Sequence, residues 1–293
     1  MATLGGCIML GLRDFIDEWF RELMIDGIVS NFTSMFDDLN VRVNDIASQV
    51  GETPSGWNSS IFDMVRTISE TVIIPIAGVI LTFILCYELI QMILEKNNMA
   101  EFDTFNIYKW VFKTFCAVLI LTNTFDIVVG VFEIAQHVVN SSAGLIVGSL
   151  DVDIAIADLE EQLEDMGTGA LVQFYIESSI LQLVIRVISI CVFLIIYGRM
   201  IEIYLTISLA PIPLATMVNR EWGNMGNSYL KSLFALAFQG FLIIVCVAIY
   251  AVLLSTITTA DSVHAAAWST VAYTILLAFT LFRTSGLSKS IFT

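Results

Sequence analysis

The sequence predicts an all-α membrane protein, a polytopic helical bundle with about five full spans. Of its 293 residues, 57% are hydrophobic and only 14% are charged, whereas ordinary globular domains carry about 25% charged residues. Five apolar runs approach the ~20 residues that a helix needs to cross a bilayer. These runs cover approximately Thr71–Leu94, Val111–Phe132, Ile180–Tyr197, Leu233–Thr256 and Ala265–Phe282.

Residues 1–70 precede the first apolar run, and we expect them to form a small extracytoplasmic helical appendage. Between Asp14 and Ile28 the apolar residues share one helical face and the charged residues the other. An acidic polar face disfavours adsorption to anionic lipid, which attracts lysine-rich helices. We therefore expect the apolar face to pack against the membrane domain or a partner subunit. Its central residues are Phe15, Trp19, Phe20 and Leu23.

The distribution of cations predicts how residues 71–293, the transmembrane domain, are oriented. No lysine or arginine occurs from Thr114 to Ile185, and cytoplasmic loops collect cations whereas short translocated loops lack them. This pattern predicts an acidic extracytoplasmic loop at about residues 133–179. It also predicts a multi-pass chain with the N-terminus outside and the C-terminus inside.

A sixth apolar stretch, Met200–Met217, contains Pro211 and Pro213. Each proline removes a backbone donor and pushes its ring against the carbonyl four residues back. If this stretch crossed the membrane, the downstream cations Arg220, Lys231, Arg283 and Lys289 would all face outward. The sequence therefore predicts a proline-broken or re-entrant segment on the inner side instead of a sixth span.

Charged residues inside the apolar runs form two candidate intramembrane pairs. Asp126 and Arg186 lie at similar depths near the outer ends of spans two and three, and Glu88 and Lys113 lie near the inner ends of spans one and two. Charges in the membrane are costly and face the bundle interior or water. Two interpretations stay open: a polar pathway for a translocated substrate, or paired charges that fix the register of the helices.

The sequence offers no pattern for catalysis or cofactor binding, and we expect neither an enzyme nor a metal site. His137 and His264 have no acid or cysteine at ligand spacing, and the HExxH, GxxxxGK[ST] and GxSxG motifs are absent. Four of the five cysteines lie within apolar runs, where a cysteine behaves as a small core residue.

Several short motifs occur in an order that resembles one family. Ser208–Ile212 reads Ser-Leu-Ala-Pro-Ile and is followed by Trp222, which resembles the Leu-Ala-Pro core of TrbL-like polytopic proteins of conjugative type IV secretion systems. Further segments are similar to the version carried by integrative conjugative elements of Firmicutes. They are Asn31–Phe36, Gly56–Asn58, Ser69–Gly78, Glu88–Met92, Glu95–Asn98, Phe112–Thr114, Thr122–Thr124 and Asn140–Gly144.

This resemblance implies a channel or scaffold subunit in the plasma membrane of a Gram-positive bacterium. Such a subunit supports transfer of relaxase-bound single-stranded DNA and assembles with other secretion subunits and with further copies of itself. Strong DNA binding by one copy is not expected, because the net charge is −15 and no basic groove with stacking aromatics is evident. The alternative is a secondary transporter whose substrate site lies at the broken helix around Pro211 and Pro213.

The predicted topology is tested by cysteine labelling of a chain whose native cysteines are replaced. A membrane-impermeant maleimide added to intact cells should label Thr258→Cys and leave Ser228→Cys unlabelled until the cells are opened. Labelling of Ser228→Cys from outside would contradict the inner placement of the proline segment.

Overall fold

The computed structural model describes residues 2–94, 104–143, 159–256 and 263–292. Within these ranges every regular element is a helix. Five helical stretches are long and apolar enough to cross a membrane: Ser59–Leu94, Phe105–Thr122, Thr168–Leu209, Gly223–Leu254 and Ala265–Phe292. The prediction of an all-α bundle with about five spans is thereby confirmed.

Ten α-helices and one π-helix make up the described chain, apart from a short helical stretch at 159–164. The first half contains α1 (Ala2–Gly51), α2 (Pro54–Trp57), α3 (Ser59–Ile68), the π-helix (Ser69–Ile73), α4 (Ile74–Leu94), α5 (Thr104–Thr122) and α6 (Thr124–Ala143). The second half contains α7 (Thr168–Leu209), α8 (Pro211–Thr216), α9 (Gly223–Ser255) and α10 (Val263–Phe292).

The chain divides into two compact units. The first comprises Met1–Ala47, Leu145–Leu194 and Val245–Leu281, and the second comprises Ser48–Gly144, Ile195–Ile244 and Phe282–Thr293. These units are defined by packing, and the division into an extracytoplasmic region 1–70 and a transmembrane domain 71–293 stays a prediction.

In the first unit, α1 packs against the N-terminal part of α7. The rings of Phe32 and Phe174 lie 5.7 Å apart between centroids. The amide of Asn31 donates to the hydroxyls of Ser178 and Ser179 at 3.0 and 3.1 Å. Gly27 lies against the Tyr175 ring, and a Cβ there would come within 2.5 Å of it. Complementary polar and aromatic contacts thus fix the register of the two helices.

In the second unit, the turn after α1 is anchored to α7. The Tyr204 hydroxyl donates to the Pro54 carbonyl at 2.7 Å, and the Trp57 ring contacts Tyr197 edge-on with centroids 5.2 Å apart. The side chain of Asn58 caps α3 by accepting from the Ile61 amide at 3.0 Å. The residues just before the first span are consequently part of a packed core.

The region predicted as an acidic loop at 133–179 is helical at both ends. Residues 133–143 belong to α6 and residues 168–179 to α7, while residues 144–158 lie outside the described ranges. Acidic side chains such as Glu133 and Glu160 are exposed on these helices. The described acidic side chains therefore lie on exposed helical surfaces, and the placement of this region outside the cell stays a prediction.

A π-helix at Ser69–Ile73 precedes Pro75 in the first span. Proline lacks the N–H that would bond to the carbonyl four residues back, and the Ile74 amide donates to the Ser69 carbonyl five residues back instead. One wider turn thereby accommodates the proline, as π-bulges commonly do at helix irregularities. The first span continues through the irregularity into α4.

The proline segment Met200–Met217 forms the end of α7 and the whole of α8. Only Ala210 separates the two helices, and Pro211 occupies the first position of α8, where a missing N–H costs least. Pro211, Leu214, Ala215 and Thr216 are buried, and α8 packs mainly on α4. The segment therefore contains a break between two helices, and this break is buried by packing on α4.

Gly226 in α9 approaches α8 so closely that only glycine fits. A Cβ at this position would lie 2.6 Å from the Pro213 carbonyl oxygen and 1.9 Å from Met217 Cγ. The side chain of Met217 is flexible, but the carbonyl belongs to the backbone. The start of α9 can therefore pack against the end of α8 only because residue 226 has no side chain.

We expect Gly226→Ala to destabilise the protein by about 1–3 kcal/mol, the usual cost of overpacking. Gly198→Ala is the matched control, because a Cβ at Gly198 meets no atom within 4 Å and the gain in helix propensity is the same. Thermal unfolding of the two purified variants in detergent measures the difference. Equal midpoints would contradict the close packing of α8 on α9.

Candidate functional site

The proline segment meets α4 and α5 in a small apolar core. Ala215 of α8 is buried together with residues from both helices, and Ile212 and Val218 pack at its edge. The partners of Ala215 are Ala77, Leu81, Leu85, Ala117 and Leu121. Small alanines on three helices allow a close approach, and the break is filled by side chains. Pro213 is half-buried, and its carbonyl accepts from the Thr216 hydroxyl at 2.7 Å.

Trp222 packs against the C-terminal half of α4. The Trp222 ring stacks on the rings of Phe83 and Tyr87, with centroids 5.8 Å apart in both cases. The chain reaches this position through a turn in which the Gly223 amide donates to the Asn219 carbonyl at 2.8 Å. Trp222 thus ties the connection between α8 and α9 to the first span.

The structure brings Glu88 and Lys113 together as an ion pair between α4 and α5. The two helices are antiparallel neighbours joined by a short connection, so residues near the end of one meet residues near the start of the other. The second carboxylate oxygen of Glu88 is buried and has no hydrogen-bond partner among the described residues. The pair therefore retains an unused acceptor.

Asp126 lies beside a cation that sequence reasoning did not identify. Its carboxylate is 3.4 Å from the guanidinium of Arg66, which also bonds to Glu70 at 2.7 Å. The guanidinium carbon of Arg66 lies 5.5 Å from the centroid of the Phe125 ring. Arg186 is an exposed residue of α7 in the other unit, and its pairing with Asp126 stays a prediction. Arg66 was assigned to the N-terminal region in the sequence, which concealed its role.

Arg199 is the only charged side chain that is buried among the described residues. It is 3% exposed, and its Nε and Nη1 atoms have no hydrogen-bond partner among the described residues. A Cβ on Gly240 would lie 2.6 Å from Nη2, so this glycine makes room for the guanidinium. Glu202, one turn away, faces Lys289 at 3.6 Å.

Helix α6, which packs near Gly240, carries the buried side-chain amide of Gln136. Gln136 of α6 is 2% exposed and its Oε1 atom has no partner among the described residues. Val139, one turn further along α6, is the other side chain near Gly240. Unpaired polar groups in a membrane domain are costly and mark functional positions. Gly240, which leaves space for the Arg199 guanidinium, is far from Arg199 in the sequence. No local sequence pattern therefore predicted that Arg199 would be buried.

The apolar face of the N-terminal helix is largely uncovered. Phe15, Trp19 and Leu23 are 67%, 56% and 48% exposed, and Phe20 is half-buried. On the polar side, Arg21 donates to the Glu164 carbonyl at 2.7 Å, which holds the 159–164 stretch against α1. The face proposed for a partner remains available in a single copy.

Within the described ranges, no three histidine, cysteine or acidic side chains come close enough together to hold a metal ion. Cys86, Cys116, Cys191 and Cys246 are free thiols.

Comparison with known proteins identifies the family. The family model for "TrbL/VirB6 plasmid conjugal transfer like protein" matches residues 39–211, a range that contains α2 to α7 and ends at Pro211. No curated protein and no solved structure matches the chain. Because the family model covers more than half of the sequence, the chain belongs to the TrbL/VirB6 family of plasmid conjugal transfer proteins.

Proposed function

We infer that the protein is a channel or scaffold subunit of a conjugative type IV secretion system, supporting transfer of relaxase-bound single-stranded DNA across the cytoplasmic membrane. The observation that carries this proposal is the family match over residues 39–211, in a chain with five candidate spans. The proposal includes a Gram-positive host and an integrative conjugative element. It also includes an outward N-terminus and an inward C-terminus, as the cation distribution predicts.

The charges of the second unit support a role in which one copy does not grip DNA. Arg66, Lys113 and Lys289 each face a carboxylate, and Arg199 is buried. Proteins that hold single strands offer a continuous basic groove with stacking aromatics. With a net charge of −15, we place the DNA path between several copies of this chain and other secretion subunits.

A cavity of about 650 Å³ lies between α1 and the 159–164 stretch, but the interior of the first unit between α1, α7, α9 and α10 offers little room for a path. The cavity lined by Ile46, Val192 and Leu277 measures about 10 Å³, space for no more than about one water molecule. This dimension is far below that of a nucleotide. It supports a structural role for the packed helices of this unit, with translocation depending on assembly.

The secondary-transporter alternative receives less support. Transporter sites lie at discontinuous helices whose half-helix ends point at a substrate. Here α8 is occupied by apolar packing with Ala77, Leu81 and Ala117. The π-helix before Pro75 also contacts α8, so the two helix irregularities pack against each other.

The uncovered face of α1 is the surface that we assign to a partner subunit or a second copy. Phe15, Trp19 and Leu23 are exposed, and Phe15 and Trp19 line one cavity together with Glu18, Glu22 and Asp26. Aromatic side chains of this kind dominate the binding energy of interfaces. The acidic side chains between them favour a partner surface that is both apolar and basic.

An in-frame deletion with complementation tests the proposed role. Mating assays should show that transfer falls below detection without the protein and recovers when the intact gene is supplied in trans. DNA processing by the relaxase should be unaffected, because the step that is lost is export. Normal transfer from the deletion strain would contradict the proposal.

The partner face predicts a separate effect on assembly. Trp19→Glu combined with Leu23→Glu should lower transfer by about tenfold or more, the consequence of losing about 2 kcal/mol at an interface centre. Amounts of membrane-inserted protein should stay constant, and Trp19→Phe, which keeps an aromatic ring on this surface, should transfer normally. Full transfer by the double variant would exclude this face as an assembly surface.

A further inference from the structure

A cavity of about 390 Å³ lies between α4 and α5, beside the Glu88–Lys113 ion pair. Its size falls within the range of about 300–1,000 Å³ that is typical of small-molecule sites. Besides the ion pair, its polar lining comprises Gln91, Asn106, Lys109 and Trp110. All of these residues belong to the second unit, and the pairing and packing roles described so far leave the cavity unused.

Two residues that line this cavity each carry a solvent-shielded atom without a partner among the described residues. They are the indole Nε1 of Trp110, a donor, and the Oε2 atom of Glu88, an acceptor. Each such group costs about 1–3 kcal/mol when it stays unpaired in a protein interior. A ligand that displaces the atoms covering them and supplies one acceptor and one donor would satisfy both, so the chemistry of the wall points to a ligand carrying both kinds of group.

The charge of the cavity favours an anion with a single negative charge. Glu88 neutralises Lys113, which leaves Lys109 as the unbalanced cation. The Lys109 ammonium lies 4.6 Å from the centroid of the Phe105 ring and has no carboxylate partner among the described residues. A phosphodiester matches this balance, since it carries one negative charge and its oxygens accept from both an ammonium and an indole N–H.

The surroundings of the cavity indicate that the phosphodiester belongs to a lipid. The helix that carries Lys109 also presents Tyr108 and Phe112, which are 67% and 70% exposed, and Ile90 of α4 is exposed as well. Tyrosine and tryptophan are characteristic of the membrane–water interface. Basic pockets between transmembrane helices on the cytoplasmic side bind anionic headgroups, and the predicted topology places this end of both spans at that side.

We propose that the cavity between α4 and α5 binds an anionic phospholipid with a phosphoglycerol headgroup. The phosphate lies between Lys109 and the Trp110 indole, and a glycerol hydroxyl donates to Oε2 of Glu88. The acyl chains run along the exposed apolar side chains of α4 and α5. An ethanolamine headgroup fits less well, because its ammonium would lie close to Lys109 and Lys113.

Occupation of this site would join the ends of two helices that also pack against α8. Trp110 packs at the edge of the apolar core that contains Ala215, so the headgroup and the proline segment share one side chain. A bound lipid would therefore stabilise the region in which α4, α5 and α8 meet. This stabilisation is measurable in the purified protein and is independent of its role in secretion.

The test uses the full chain, purified in detergent and titrated with phosphatidylglycerol or phosphatidylcholine. Native mass spectrometry counts bound lipid, and thermal unfolding reports stabilisation. Phosphatidylglycerol should bind and raise the unfolding midpoint more than phosphatidylcholine does. Lys109→Gln and Trp110→Phe should each weaken its binding by about tenfold, the usual consequence of losing one hydrogen bond to a charged group.

Lys231→Gln is the matched control, since it removes an exposed lysine of α9 outside the cavity and should leave binding unchanged. Trp110→Phe keeps the aromatic ring, so the variant preserves packing while losing the N–H donor. Equal binding of the two lipids, or undiminished binding by Lys109→Gln, would overturn the proposal. Equal stabilisation by glycerol 3-phosphate, or displacement of the lipid by a single-stranded oligonucleotide, would also overturn it by assigning the cavity to free phosphate or to nucleic acid.

Discussion

The structure of the second unit depends on burying the helix break between α7 and α8, because backbone groups in a membrane cannot be satisfied by water. Backbone groups in lipid need partners within the protein, and Pro211 and Pro213 remove two donors from the sequence after α7. The chain responds by ending α7 at Leu209 and beginning α8 at Pro211. The Ala210 amide then donates to Ile207 at 3.3 Å, and the Leu214 amide donates to Ala210 at 3.2 Å. The packing of α8 against α4 and α5 then buries the break.

The same constraint explains the neighbouring irregularities. Pro75 is tolerated because the π-helix before it redirects one hydrogen bond, and Gly226 is required because α9 begins against the Pro213 carbonyl. Trp222 fixes the intervening turn on Phe83 and Tyr87. Each departure from a regular helix is thus compensated by a contact with another element, which gives this region a defined shape.

The general architecture was predictable because it follows from local properties. The lengths of apolar runs and the positions of cations can be read directly from the sequence. They identify five spans and the helical break at Pro211, which follows the third of them. The Glu88–Lys113 contact was accessible for the same reason, since a short connection brings the ends of adjacent spans together. Boundaries were less accurate, because the predicted second span Val111–Phe132 extends across Asn123, where one helix ends at Thr122 and the next begins at Thr124.

The features that escaped prediction depend on residues far apart in sequence. The burial of Arg199 requires the space left by Gly240, and the position of Arg66 beside Asp126 requires α3 to continue into the first span. The anchoring of Pro54 by Tyr204 likewise joins residues 150 positions apart. Such contacts arise from tertiary packing, which hydrophobic periodicity and charge counts do not encode.

Cross-linking in intact cells tests the central claim that the proline segment is folded onto the first span at the inner side. The chain carries Phe83→Cys and Trp222→Cys in a background without native cysteines and is treated with a short bifunctional maleimide. The account predicts an intramolecular cross-link with a membrane-permeant reagent and none with an impermeant reagent added outside. Failure of the permeant reagent, or reaction with the impermeant one, would contradict it.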